Sequence, residues 1–156
     1  THTYSHVPCS RLRTDELHNE FQRNDDFLRD CGISQRPLHF SFPLGAYDLN
    51  SKAVAGKHFA SCRITGGGVQ LGFADLNALK SERLYTRDIQ LDKLAQLVRR
   101  TAEHKGWLIF YSHDVAAEPS TWGCTPDLLD RAVQLALDAG CKVLPVDKAI
   151  SHWQAA

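Results

Sequence analysis

Apolar residues recur near helical spacing at Leu17, Phe21, Leu28 and Cys31. They predict a helix capped by Thr14, opened by Asp15 and Glu16 in its first turn and stopped by Gly32. A short strand is predicted from Pro37 to Phe42, ending in the loop signal Pro43-Leu44-Gly45. A weaker helix from Leu49 to Lys57 and a strand from Phe59 to Ile64 follow. The stretch from Thr65 to Arg87 begins with Gly66-Gly67-Gly68 and has no clean period. It reads as a long loop holding a short helix around Asp75 to Lys80. Leu91, Leu94, Leu97, Val98 and Ala102 mark one face of a helix closed by Gly106. Trp107 to Tyr111 is an unbroken apolar run, the pattern of a strand buried on both faces in a helix-covered parallel sheet. Thr125 as cap and Pro126 at the first helical position open a further helix, which Gly140 stops. Val143 to Val146 predicts a last strand, and Asp147 opens a short terminal helix.

This alternation of helix and strand predicts an α/β fold with a mostly parallel sheet or barrel, in a single domain of 156 residues. In such folds polar residues at the C-terminal ends of strands converge on one face. The Pro43 loop and His113, which follows the Trp107 run, fall at strand ends, and His2 and His6 would belong there too.

Composition narrows the choice of function. A chain that is 43% apolar and 23% charged can bury a core, and 18 basic against 18 acidic residues leave no net field for nucleic acid or an anionic membrane. A neutral substrate fits better than a polyanion. No stretch approaches the roughly 20 apolar residues of a membrane span. The five cysteines form no CxxC pair and read as free buried thiols in a reducing, cytoplasmic setting, with the cell envelope or secretion as the alternative. The chain contains no Met and begins at Thr1, which reads as a piece of something longer. Gly66-Gly67-Gly68 lacks the lysine and hydroxyl of a phosphate loop and reads as a flexible turn.

The candidate chemistry lies in histidines. His2 and His6, four apart, can grip one divalent metal, although an exposed chain end among eight histidines gives the same pattern by chance. His113 stands where parallel folds place catalytic groups, and a core histidine bonded to a carbonyl is the competing reading.

Taken in order, His2-Thr3-Tyr4-Ser5-His6, then Phe40-Ser41-Phe42-Pro43-Leu44-Gly45, then Trp107 through Val115, with the closing Gly123-Cys124-Thr125-Pro126 and Val143-Leu144-Pro145-Val146, the motifs resemble the polysaccharide deacetylase (NodB-homology) family of carbohydrate esterases. The resemblance implies an incomplete (β/α) barrel holding one divalent metal, commonly zinc, with His2 and His6 matching two of its ligands. It also implies an oxyanion-binding backbone N–H at Leu44 and a general acid at His113. The family's third ligand and its base come from an upstream Asp-Asp motif that is absent here. Asp25-Asp26 lies inside the Thr14 helix and reads as a solvated helix face. The chain would then be the C-terminal portion of the domain, missing its first strands. An N-terminal segment, a partner chain or a homodimer would be expected to cover the open sheet edge.

Ser41 stands where many relatives carry an arginine, which leaves the tuning of the base open. Asp114 is a doubtful acid partner for His113, since neighbouring strand residues point to opposite faces, and Asp75 is the other candidate. Two functions remain: a metal-dependent hydrolase removing N-acetyl or similar acyl groups from amino sugars of a carbohydrate substrate, or a non-catalytic carbohydrate-binding or regulatory relic of the same fold.

Overall fold

The computed structural model describes residues 1–154 and divides the chain into two compact units. The first comprises Thr1–Gly66 with Asp75–Leu79, and the second Gly67–Ala74 with the residues from Lys80 on. The fold is α/β with parallel strand pairing, and no closed barrel forms among the described residues.

In the first unit α1 (Thr14–Asp30) and α2 (Leu49–His58) accompany β1 (His39–Ser41) and β2 (Ser61–Ile64), which pair in parallel, Phe40 opposite Cys62. A third strand, β3 (Leu79–Lys80), follows β2 in the sheet order and brings Leu79 into this unit. One face of the sheet is apolar because alternate strand residues share a face. Phe40, Phe42 and Cys62 pack there with Leu17 and Phe21 of α1, Val54 and Ala55 of α2, and Phe59. Phe40 stacks on Phe59 at 4.9 Å between ring centroids, and Phe21 meets both rings edge-on. Burial in this core pushes the Cys9 and Cys62 thiols up to about 12. The other face is polar, as shown by His39 Nδ1 lying 2.9 Å from Ser61 Oγ.

In the second unit β4 (Glu82–Arg83) pairs in parallel with β5 (Phe110–Tyr111). Beside them are α3 (Leu91–Glu103), α4 (Pro126–Asp138) and α5 (Val146–Gln154). Its core joins Leu84, Leu94, Val98, Cys124, Leu128 and Ala132. No described helix is long and apolar enough to cross a membrane.

Several expectations need correcting. Thr14 does not cap α1: the N-cap is Arg13, whose N–H donates to the Glu16 carboxylate at 2.8 Å, while the Thr14 hydroxyl turns to Asn50. Asp25 is not solvated; its side chain is 10% exposed and faces Arg36 at 3.5 Å and His58 at 3.7 Å, leaving only Asp26 on the outer surface with Arg29. The expected helix near Asp75 is absent, and β3 and β4 occupy that region instead. The Trp107 run is a strand only at Phe110–Tyr111, and these two residues are partly exposed. Val143 and Leu144 form no strand and are exposed, because no described neighbour supplies a ladder for them. Cys31 is exposed, at the C-cap of α1, whereas Cys9, Cys62 and Cys124 are buried.

Candidate active site

The His2–His6 segment is tied down. Thr1 donates its N–H to His39 O at 2.8 Å, and Ser41 N–H donates to Thr1 O at 2.9 Å. These are the two bonds of one parallel bridge opposite Phe40. His2 therefore leaves the strand level at the C-terminal end of β1, the edge where α/β sheets place their chemistry. There the His2 ring Nδ1 lies 2.6 Å from Ser41 O. A carbonyl only accepts, so Nδ1 carries the hydrogen and Nε2 is left with its lone pair, the orientation that second-shell bonds give to metal-ligating histidines. Burial holds the His2 pKa below the ordinary histidine value, and the charges of His6 and Arg63 act in the same direction against the Ser41 carbonyl.

Glu20 on α1, a buried residue, fixes the turn between the two histidines. Its Oε2 accepts the N–H groups of Tyr4 at 3.0 Å and Ser5 at 2.7 Å, and its Oε1 accepts the Ser5 hydroxyl at 2.9 Å. The backbone bends through left-handed conformations at Thr3 (φ 53°) and His6 (φ 55°). For β-branched Thr3 this is a costly conformation, of the kind that persists where the surroundings over-determine it. The result brings the two imidazoles together, with ring centroids 4.8 Å apart at 65°. Thr3 Oγ1 is buried and finds no hydrogen-bond partner among the described residues.

Two neighbouring imidazoles suit zinc, but catalytic zinc takes three protein ligands. No group of three or more His, Cys, Asp or Glu residues able to hold a metal occurs among the described residues. The donors present fit two positions of such a site.

Leu44 lies in the 3-10 turn Pro43–Gly45 that follows β1. Its side chain is 68% exposed and its backbone is left-handed, φ 57° and ψ 9°. The turn uses the N–H groups of Gly45, to Phe42 O, and of Ala46, to Pro43 O. Gly45 is itself left-handed at φ 68°, and a Cβ there would come within 2.9 Å of the Thr65 backbone nitrogen. Only glycine lets the turn close against β2's exit.

His113 belongs to the second unit, and its side chain is exposed. Its N–H donates to Trp122 O at 3.0 Å, and its ring Nδ1 lies 3.2 Å from that carbonyl and 3.3 Å from the Tyr85 hydroxyl. Nδ1 therefore carries hydrogen, and Nε2 is the atom available for proton transfer. Asp114 does not orient this ring. Its carboxylate accepts the Ser120 N–H at 2.9 Å and the Ser120 hydroxyl at 2.6 Å, bonds that hold its pKa below the ordinary aspartate range. Asp75 belongs to the first unit, where it pairs with Lys52 and accepts the Asn77 N–H at 3.0 Å.

Sequence reasoning missed Glu20 and the carbonyls of Ser41 and Trp122. Backbone carbonyls leave no signature in a sequence, and Glu20 looks like any other acidic residue on a helix.

Residues 1–60 match the family model described as Polysaccharide deacetylase, a partial domain. The match includes His2, His6 and Leu44 and ends before His113. No curated protein matches the chain.

Proposed function

We propose, from the match of residues 1–60 to the Polysaccharide deacetylase family model, that the chain is the C-terminal portion of a metal-dependent hydrolase domain that removes N-acetyl or similar acyl groups from amino sugars. The observation that carries this reading is the His2–His6 pair, held 4.8 Å apart with the His2 Nδ1 committed to Ser41 O.

In this reading Nε2 of His2 and the ring of His6 hold two positions of a divalent ion, with zinc the best match to imidazole donors. When bound, the ion supplies Lewis acidity to water and to the acyl oxygen. The Leu44 N–H donates to the negative charge that builds on that oxygen, a backbone role indifferent to the side chain. His113 donates a proton from Nε2 to the departing amine, which is too poor a leaving group to go unprotonated. Tyr85 and the Trp122 carbonyl engage Nδ1 of the His113 ring, so that it is the imidazolium form that gives its proton from Nε2 and returns to the Nδ1–H tautomer. An N-terminal segment or a partner chain contributes the third ligand and the base.

The test is acetate release from N-acetylglucosamine oligomers by the full gene product with added zinc, compared with its His2→Ala and His113→Ala variants. Loss of turnover in both is expected. Undiminished turnover in His113→Ala removes the acid assignment, and undiminished turnover in His2→Ala removes the metal reading. The second reading, a carbohydrate-binding relic, is favoured by the lack of a three-donor group among the described residues. Saccharide binding without acetate release would select it.

A further inference from the structure

Trp122 is 50% exposed, yet it stands on a tightly fastened loop. The Cys124 N–H donates to Asp114 O at 2.9 Å and the Ala116 N–H to Cys124 O at 3.2 Å, which closes the base of the loop. Inside it, Asp114 grips Ser120 through two bonds, and the Gly123 N–H donates to Ser120 O at 2.9 Å. A Cβ at Gly123 would come within 2.6 Å of the Asp114 carboxyl carbon, so the chain after Trp122 runs flush against that staple. The indole is positioned as well. The Arg87 guanidinium lies over it at 4.1 Å, and the Tyr85 ring meets it edge-on at 5.8 Å. Arg87 is paired with Asp88 at 3.2 Å, which offsets its charge.

An exposed tryptophan on a mobile loop has little meaning, but one oriented on both its backbone and its ring is preorganised for contact. Its carbonyl is also the group that holds His113. The same residue thus fixes the proton donor and presents a flat apolar surface beside it. Neutral partners with an apolar C–H face and polar edges, as sugar rings have, suit such a platform.

We propose that Trp122 is a stacking platform for a sugar ring next to the unit on which His113 acts, so that it sets a preference for oligosaccharides over single sugars. This inference rests on the amino-sugar hydrolase reading and adds a specificity-determining residue to it.

The test uses the full gene product and two probes, N-acetylglucosamine and its tetramer, with binding followed by calorimetry and by tryptophan fluorescence. Trp122→Ala is expected to weaken tetramer binding by about tenfold, the order of a lost aromatic contact. It should also erase most of the tetramer-over-monomer preference in kcat/KM. Trp122→Phe should restore most of both, and circular dichroism of each variant checks folding. Tetramer affinity unchanged in Trp122→Ala overturns the platform, and so does failure of the wild-type protein to bind the tetramer. Trp122-dependent binding of the tetramer without acetate release by wild type instead defeats the hydrolase reading and leaves the platform standing.

Discussion

The two histidine-bearing segments are fastened by opposite strategies. The His2–His6 turn is held from a distance: Glu20, fifteen residues from Ser5, reaches from α1 and grips the backbone of the turn. The His113 loop takes its shape mainly from within, by Asp114 and Ser120 six residues apart and by carbonyls of the same loop, with the 85–87 segment touching it from outside. A long-range clamp can impose left-handed backbone on Thr3 and His6, since α1 is anchored in its own core through Leu17 and Phe21. A local staple sets the shape of its own loop and no more. The first arrangement makes geometry depend on the packed core, whereas the second makes it depend on loop sequence.

The strongest way to break that contrast is Glu20→Ala. It removes the three charge-assisted bonds to the turn together with the Arg23 ion pair, and is expected to lower unfolding stability by about 3 kcal/mol, measured by urea denaturation. Glu20→Gln should cost distinctly less. A loss under about 1 kcal/mol for the alanine variant would mean that the turn is held by something else.

Gly123→Ala probes the local staple. Its new methyl must push the Asp114 carboxylate off Ser120, and a cost of about 1–2 kcal/mol is expected. Amide exchange should accelerate at residues 114–124 and stay unchanged in α3 and α4. Faster exchange throughout those helices would contradict a purely local device.

A smaller effect, of opposite sign, is expected for Leu44→Gly. The left-handed backbone penalises any side chain, and the leucine side chain is largely in solvent, so the variant should gain about 0.5–1 kcal/mol. If it is destabilised instead, the leucine makes contacts that its exposure conceals.

The subtlest expectation concerns pH. Bonds from Ser120 hold the folded-state pKa of Asp114 below its unfolded value. The stabilisation is therefore fully present above the ordinary aspartate pKa and is lost as pH falls through the lowered folded value. Carboxyl NMR titration of Asp114 should show a midpoint below that of a free aspartate, and Ser120→Ala should move it back up. An unchanged midpoint in Ser120→Ala would assign the shift to another cause.

The helices were legible in the sequence. Thr125 with Pro126 and the glycines at 32 and 140 bound periodic apolar stretches, and the structure places α1 and α4 within a few residues of those marks, with α2 and α3 close to their expected spans. Strands were harder to read. Val143 and Leu144 have strand composition but no neighbour to pair with, and Trp107 reaches the ladder only through an isolated bridge to Gln70. Strand formation depends on partners distant in sequence, which a local pattern does not encode. The same holds for the candidate site. The spacing of His2 and His6 is local and could be read, whereas Glu20, and the burial of Asp25 against Arg36 and His58, become visible only once α1 is docked.

Glu20 recognises main-chain hydrogens at positions 4 and 5. Substitution at position 4 should accordingly be permissive in side-chain chemistry, whereas position 5 also lends Glu20 its hydroxyl; neither tolerates proline, which offers no hydrogen to share. A saturation library across this pentapeptide would be expected to retain folded members with diverse residues at Tyr4, and to lose those with proline at either site.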